Sequence, residues 1–594
     1  MPTYKAPTKD YLFLLNDVFQ FDRYANLPGF SDVSPDILDA TFEEAARLCE
    51  QVIAPLNRVG DIEGCTRHDD NSVTTPTGFK EAFKQVGAGG WMGMSAPVEY
   101  GGQGLPGVVS DVVAEFLASA SLAFWMYVGL TQGAVAALLD HASPELKATY
   151  LPKMVAGEWT GVMALTEAHS GTDLGLLRTK AAKQADGSYT ITGNKIFISG
   201  GDHDMAENII HLVLARLENA PAGVHGISLF VVPKLRVGPD GSLSPNRMSC
   251  GSIEHKMGIH GNCTCVMNYD DSTGWLVGEE NRGLNAMFTM MNHSRLAVGI
   301  HAVALAEVAY QNAALYARDR LQSRSPSGAK FPDKPADPII VHPDVRRMLM
   351  TGRAFTEAAR ALLVWSGMRH DVAIRGTDEQ ARREAEDHMG LLTPVLKGFC
   401  SDVSFEVAVL AQQIYGGHGY VAENGMEQFV RDARINQIYE GANGVQALDL
   451  VGRKLGLDGG RALAGFFGEI SSYLKEHAAD QAMTSFVKPM QDALERLQQA
   501  TGWLSKKAAA NRDDAIGASY EYMHLIGLVS LGYMWCRMAE VANRKLAGGA
   551  DQFLQGKLVT ARFFMEHMLP ATTTQLARIT AGSGSMMALP AEAF

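Results

Sequence analysis

The chain has 594 residues, 46% of them hydrophobic and 20% charged, with a net charge of −13. That length predicts at least three structural units, the composition is that of a globular chain, and the acidic balance excludes general affinity for nucleic acid or anionic membrane. The seven scattered cysteines, an odd number, read as reduced thiols and not as a disulfide framework.

The N-terminus meets the charged Lys9-Asp10 pair early and has no secretory h-region. No run of about 18 uncharged apolar residues is present, so no integral membrane contact is expected and the cytoplasm is the expected compartment. Residues 1–33 lack a period and read as an arm. Residues 34–160 read as a helical domain, opened by Ser34 as N-cap and Pro35 at the first helical position. Leu38, Phe42, Ala45, Cys49 and Val52 follow at helical spacing, and Pro55 is expected to end that helix. Tyr100–Gly104 reads as a loop.

Residues 161–285 read as a middle β domain. Tyr189–Thr192 and Lys195–Ser199 are expected as two short strands, with Gly193-Asn194 as a turn. Ile209–Leu217 and Gly226–Val232 are further strands, rich in Ile, Val, Leu and Phe. Residues 286–455 return to helical spacing, with Leu296, Ile300, Val303, Ala306 and Tyr310 as one apolar stripe of a bundle. Ser323–Asp337 is a loop, and Gly456, Gly459 and Gly460 mark a boundary before a C-terminal helical domain, 461–594. There the apolar Leu525–Leu531 stretch reads as a buried helix. Cys263-Thr264-Cys265, with Cys250, His255 and His260 upstream, lacks zinc spacing and reads as alternate residues on a strand, so no metal is expected.

Five segments then stand out in order. They are Met163–Asp173 (MALTEAHSGTD), Lys195–Gly200 (KIFISG), Lys256-Met257-Gly258, Gln413–Tyr420 (QIYGGHGY), and Arg431–Ile435 leading into Ile438-Tyr439-Glu440-Gly441. Each alone is a weak signal. Together they resemble the motif series of the acyl-CoA dehydrogenase family across residues 35–455. The opening MPTYKAP, Asn443-Gly444, the Asp449–Lys454 run and the helical tail are similar to a long bacterial branch with an added C-terminal helical domain.

The resemblance implies a mainly α fold with a central β domain: an α domain, a β-barrel-like domain and a four-helix bundle, followed by the extra helical domain. It implies FAD as cofactor and an acyl-CoA thioester as substrate. A carboxylate takes the α-proton and the β-hydrogen leaves as hydride. Glu suits the base because apolar surroundings raise a carboxyl pKa toward neutrality. Glu440 matches the family base, although a Glu before a Gly is by itself an ordinary solvated helix end. Leu165, Thr166, Phe197, Ile198 and Ser199 match flavin-ring contacts, which would otherwise be plain strand residues. Gly171 and Thr172 match the diphosphate turn. Arg320 matches an arginine that reaches FAD phosphate from a neighbouring subunit, where its fork pairs the anion. Gln413, Gly416 and Gly417 match the adenosine cradle across a dimer interface. Arg295 and Gly441 match the substrate mouth. The resemblance also implies an electron-transferring flavoprotein as acceptor and a homo-oligomer, expected to be a dimer.

The sequence departs from the family pattern at several points. Phe197 stands where Trp is common, Ala442 where Thr is common, Leu321–Arg324 replaces an Arg-x-x-Phe-Gly motif, and His342-Pro343 replaces His-Gln. For substrate, the resemblance points to 3-(methylthio)propanoyl-CoA. Short- or medium-chain fatty acyl-CoA dehydrogenation and acyl-CoA oxidation are the alternatives, with a non-catalytic acyl-CoA-binding protein as a third class.

Overall fold

The computed structural model describes residues 2–594. The chain forms two compact units, one built from residues up to 43 together with 298–594, the other from residues 44–297.

In the 44–297 unit, the helices Phe79–Ala88, Gly107–Ala120, Leu122–His141 and Pro144–Val155 precede the main β structure, and the last two pack against its first strand. A short hairpin pairs β1 (Thr66–Arg67) with β2 (Val73–Thr74). The main strands are β3 (Trp159–Ala164), β4 (Lys180–Lys183), β5 (Tyr189–Ser199), β6 (Asn208–Leu217) and β7 (Ile227–Pro233). They continue through β8 (Leu235–Val237), β9 (Leu243–Pro245), β10 (Met248–Ile253) and β11 (Thr264–Val277). β11 pairs with β5 and then, at its end, with β7; β7 pairs with β6, β6 with β4 and β4 with β5. The ring therefore closes, which removes the exposed strand edges an open sheet would leave. β3 adds in parallel to β6 and β10 antiparallel to β11.

β6 and β7 read as nearly unbroken apolar runs and are buried along almost their whole length, as strands covered on both faces must be. Leu138, Met154, Trp159, Ile210, Leu229 and Met290 sit in one core between helices and sheet. β5 is a single strand, not two. Gly193 is no turn: the backbone of β5 passes so close to Thr179 that any side chain at 193 would strike it. Pro55 does not end its helix either. A wide turn over Cys49–Ile53 is followed by the helix Ala54–Glu63, and Pro55 falls in its first turn, where a missing N–H costs nothing. Ser34 caps its helix as expected, accepting from Ile37 N at 3.3 Å.

In the other unit, Pro343–Arg375 packs with Glu379–Pro394 and Cys400–Tyr415 as a bundle, which the latter part of the Gly283–Asp319 helix joins. Ser404 Oγ donates to Ala302 O at 2.6 Å, and Gly299 abuts Leu363 and Leu396. The C-terminal helices include Arg461–Glu476, Thr484–Ala510, Ser519–Leu546 and Gln552–Phe563. Ser519–Leu546 lies at their centre. Its Trp535 Nε1 donates to Ala354 O at 3.0 Å, its Gly527 lets the Phe399 ring press on the backbone, and Tyr533 meets Trp365 at 5.5 Å between ring centroids. Residues 8–24, read as part of an arm, fold into short helical turns that bury Tyr11, Leu14 and Leu15 in this unit. Asp10 pairs there with Arg360 and Lys557.

Among the described residues two helices are long and apolar enough to cross a bilayer, contrary to the expectation from uncharged runs. Both are core helices: Leu122–His141 is 78% buried over its apolar window and Ser519–Leu546 is 89% buried.

Candidate functional site

In the 44–297 unit, β3 ends at Ala164 and the chain turns through Leu165-Thr166-Glu167. Lys195 of β5, fully buried, donates to Leu165 O at 2.8 Å and to Glu167 Oε1 at 2.9 Å. The same carboxylate accepts from Arg178 N, Thr179 N and Thr179 Oγ1 at 2.7–2.9 Å. Burial pushes the Glu167 carboxyl up, but Lys195 and Thr179 more than reverse this and hold it at about 2. Burial takes the Lys195 ammonium down to about 8 against the pull of Glu167. Ile196 N donates to Thr166 O at 2.9 Å, so Leu165 and Thr166 are fixed against β5 from both sides.

One residue along β5, Phe197 is 58% exposed with φ at +59°, while Ile198 behind it is 1% exposed. A bulky side chain in left-handed backbone is strained, and the surrounding strand holds it outward. Ser199 follows, partly buried. Gly171 and Thr172 are exposed on the turn after Thr166, and the only atom near a Cβ built at Gly171 is Thr166 Cγ2, at ordinary contact distance. The protein's own packing therefore does not require glycine there. An outward-held aromatic, a partly buried hydroxyl-bearing strand end and an open glycine turn fit a flat aromatic cofactor with a phosphate tail. Arg295, on the Gly283–Asp319 helix, is half-buried, with Nη1 3.4 Å from Asn292 Oδ1.

In the other unit, Glu440 and Gly441 lie in a non-helical turn between the helices Met426–Ile435 and Asn443–Asp449. Glu440 has φ +55° and Gly441 φ +83°. A left-handed Glu is costly and persists only where the neighbours over-determine it. They do so here on both sides. Tyr439 Oη donates to Asn436 Oδ1 at 2.6 Å and lies 2.8 Å from His301 Nδ1. Burial depresses the His301 imidazole to about 3, so the ring is neutral. Gln446 Nε2 donates to Glu440 O at 3.2 Å. Asn443 N donates to Gln437 O at 3.1 Å, closing the turn.

At the far end of the bundle, Arg320 N donates to Tyr316 O, and the Tyr316 ring stacks on Tyr415 with centroids 4.0 Å apart. This brings Arg320 to the same end as Gln413, Gly416 and Gly417, all four of them exposed. Gly416 has φ +58°, and a Cβ at Gly416 or Gly417 would meet nothing within 4 Å. The Leu321–Arg324 segment that departs from the family motif leads a loop organised on buried Asp337, which accepts from Ser325 N and Phe331 N at 2.9 and 2.8 Å.

Periodicity and motif matching did not single out Lys195, Lys397, Asp402, Asn443 or Gln446 for a role. Lys397 is the one with a usable signal: a lone charge inside the apolar Leu396–Cys400 run, and fully buried. All seven cysteines are free, Cys263 buried just before β11 and Cys265 buried at its start, and no metal-holding cluster occurs among the described residues.

Family models match nearly the whole chain. The acyl-CoA dehydrogenase N-terminal domain model matches residues 39–158, the middle domain 162–272 and the C-terminal domain 281–455. A model described as acetyl-CoA dehydrogenase C-terminal like matches 466–590. The chain is 43% identical to the 3-methylmercaptopropionyl-CoA dehydrogenase of Ruegeria pomeroyi, over 98% of this chain and 99% of that protein. It is 32% identical to a broad-specificity linear acyl-CoA dehydrogenase of Mycobacterium tuberculosis, over the full length of both. The fold is also that of a Bacillus anthracis acyl-CoA dehydrogenase solved with FAD, with a TM-score of 0.74, 22% identity, and coverage of 96% of this chain and 91% of that one.

Proposed function

The chain belongs to the acyl-CoA dehydrogenase family of oxidoreductases, and we propose that it desaturates an acyl-CoA thioester between Cα and Cβ with FAD as cofactor and Glu440 as base. The observation that carries this reading is the Glu440 turn. A carboxylate is held in left-handed backbone by Tyr439, Gln446 and the Gln437–Asn443 closure, in the position the family motif reserves for the base. Such pinning limits the motion of a group that must meet a C–H proton in one geometry. The backbone N–H of Glu440 is assigned to the thioester carbonyl, where a fixed donor stabilises the developing enolate.

Leu165, Thr166, Phe197, Ile198 and Ser199 are assigned to the flavin ring and Gly171 and Thr172 to its diphosphate. Arg295 and Gly441 are assigned to the substrate. Held by these residues, FAD would supply the acceptor for the β-hydride. The exposed group of Arg320, Gln413, Gly416 and Gly417 is assigned to the FAD of a second copy, which makes the enzyme a dimer. 3-(Methylthio)propanoyl-CoA is the proposed substrate, supported by the 43% identity to a relative named for that activity. Short- or medium-chain fatty acyl-CoA is the second choice, and an electron-transferring flavoprotein the acceptor.

The test is anaerobic bleaching of the flavin absorbance with a panel of acyl-CoAs, in wild type and Glu440→Gln. Bleaching by 3-(methylthio)propanoyl-CoA faster than by butanoyl-CoA is expected. Glu440→Gln should retain FAD and lose about 10³-fold or more in rate, within the range a general base supplies. Activity of that variant within about tenfold of wild type assigns the base elsewhere, and no bleaching by any thioester refutes the reading as a whole.

A further inference from the structure

The C-terminal helical domain has no assigned part in the reaction. Its central helix, Ser519–Leu546, carries Tyr520 and His524 one turn apart, with rings 4.6 Å apart between centroids. Both reach the same atom: Tyr520 Oη donates to Asp402 Oδ2 at 2.7 Å, and His524 Nε2 lies 2.9 Å from it. Asp402 opens the bundle helix Cys400–Tyr415 and is 6% exposed. Its other oxygen, Oδ1, accepts from Gln437 Nε2 and from Asn443 Nδ2, both at 2.7 Å.

Gln437 and Asn443 stand three residues before and three residues after Glu440, and they are the pair whose backbone bond closes its turn. Asn443 is held further. Its Oδ1 accepts from the buried Lys397 Nζ at 2.8 Å, and its Nδ2 also lies within 3.0 Å of Gly398 O and Ser401 Oγ.

A buried carboxylate has about four lone-pair directions to satisfy. Asp402 fills them two and two, one oxygen with the base turn and the other with the C-terminal helix. Burial pushes its carboxyl up, but His524, Tyr520 and Gln437 reverse this and hold it below the usual range, so the group is an anion and only accepts. His524 Nε2 is therefore a donor in this pair. Charge-assisted bonds of this kind are directional and about twice as strong as neutral ones. Removing the two donors on Oδ2 leaves the carboxylate free to rotate about its χ2 and recruit water, which loosens Oδ1 on Gln437 and Asn443.

We propose that Tyr520 and His524 are positioning residues for the reaction: through Asp402 they set the placement of the Gln437–Asn443 turn and hence of Glu440. The C-terminal domain thus acts on turnover and not only on folding. This inference rests on the assignment of Glu440 as the base.

The experiment compares kcat per bound FAD, KM for the acyl-CoA and thermal stability in the full-length enzyme. In Tyr520→Phe/His524→Leu, kcat is expected to fall about tenfold, about 1.4 kcal/mol of barrier, with KM within twofold of wild type. Tyr520→Phe/His524→Gln, whose amide nitrogen falls where Nε2 stood, should recover at least half of the lost kcat on a logarithmic scale. A purely structural role would lower stability and FAD content and leave kcat per bound FAD unchanged. That result, or a failure of the Gln variant to recover, overturns the proposal. Should the double variant not fold, Tyr520→Phe alone decides, since it removes one hydroxyl: a threefold or larger drop in kcat is expected, and none refutes the coupling. Glu440→Gln measured beside them separates the two claims. Near-full activity there removes the base assignment, whereas its inactivity together with an intact Tyr520/His524 variant removes only the positioning role.

Discussion

Replacing Lys195 by Met tests the buried pair that fixes the Leu165–Thr166 strand end. The side chain is fully buried and bonds Leu165 O and Glu167 Oε1 at 2.8 and 2.9 Å. Breaking a buried ion pair costs about 3–5 kcal/mol, because the remaining charge has lost its partner. Here Arg178 N and both donors of Thr179 still solvate the carboxylate, which places the loss at the low end, about 3 kcal/mol. Native-state hydrogen exchange of the Ile196 amide reads it directly, since that N–H bonds Thr166 O. Its protection should drop about 100-fold. The double variant Lys195→Met/Glu167→Gln should recover roughly half of the loss, because the uncompensated charge is gone. The pH dependence has a definite sign. Glu167 is depressed from 4.5 to about 2 in the folded protein, so its contribution is complete above 4.5 and fades as pH falls toward 2. The gap between wild type and Lys195→Met must narrow over that window. Unchanged Ile196 protection at neutral pH, or a double variant weaker than the single one, refutes the argument.

Phe197→Gly removes an exposed ring from left-handed backbone, so the apoprotein should be no less stable while FAD affinity in a fluorescence titration falls about tenfold; equal affinity would remove Phe197 from the cofactor site. Lys557→Met removes the buried cation that Asp10 and Glu357 share, leaving them Arg360 and Arg353, and should cost about 3 kcal/mol and speed proteolysis of the N-terminal residues; wild-type resistance would show that Arg360 alone holds Asp10. Gly527→Val drives a side chain into the Phe399 ring and should lower stability by about 1–3 kcal/mol in thermal unfolding, against no change if the helix can shift.

Much of the architecture is legible in the chain because burial is written into periodicity. The two-sided apolar runs of β6 and β7 announce covered strands, and the stripe from Leu296 to Tyr310 announces a bundle helix. Where local signals mislead, a tertiary neighbour is the reason. Gly193 looks like a turn glycine, yet it is small because Thr179 lies against it. Residues 8–24 show no period because their short turns are interrupted and owe their order to partners such as Arg360 and Lys557, hundreds of residues away.

The site divides in the same way. Motif order alone singles out Glu440 and the Leu165–Thr166 and Phe197–Ser199 segments, since residue type and sequence spacing carry that information. The left-handed backbone of Phe197 and Glu440, the Lys195–Glu167 pair and the two-sided use of Asp402 belong to the tertiary structure. The Lys195–Glu167 pair and the two-sided use of Asp402 depend on groups remote in sequence that meet only when the chain folds. A buried charge or a strained dihedral becomes affordable only after those partners have arrived, so no local reading of the chain can contain it.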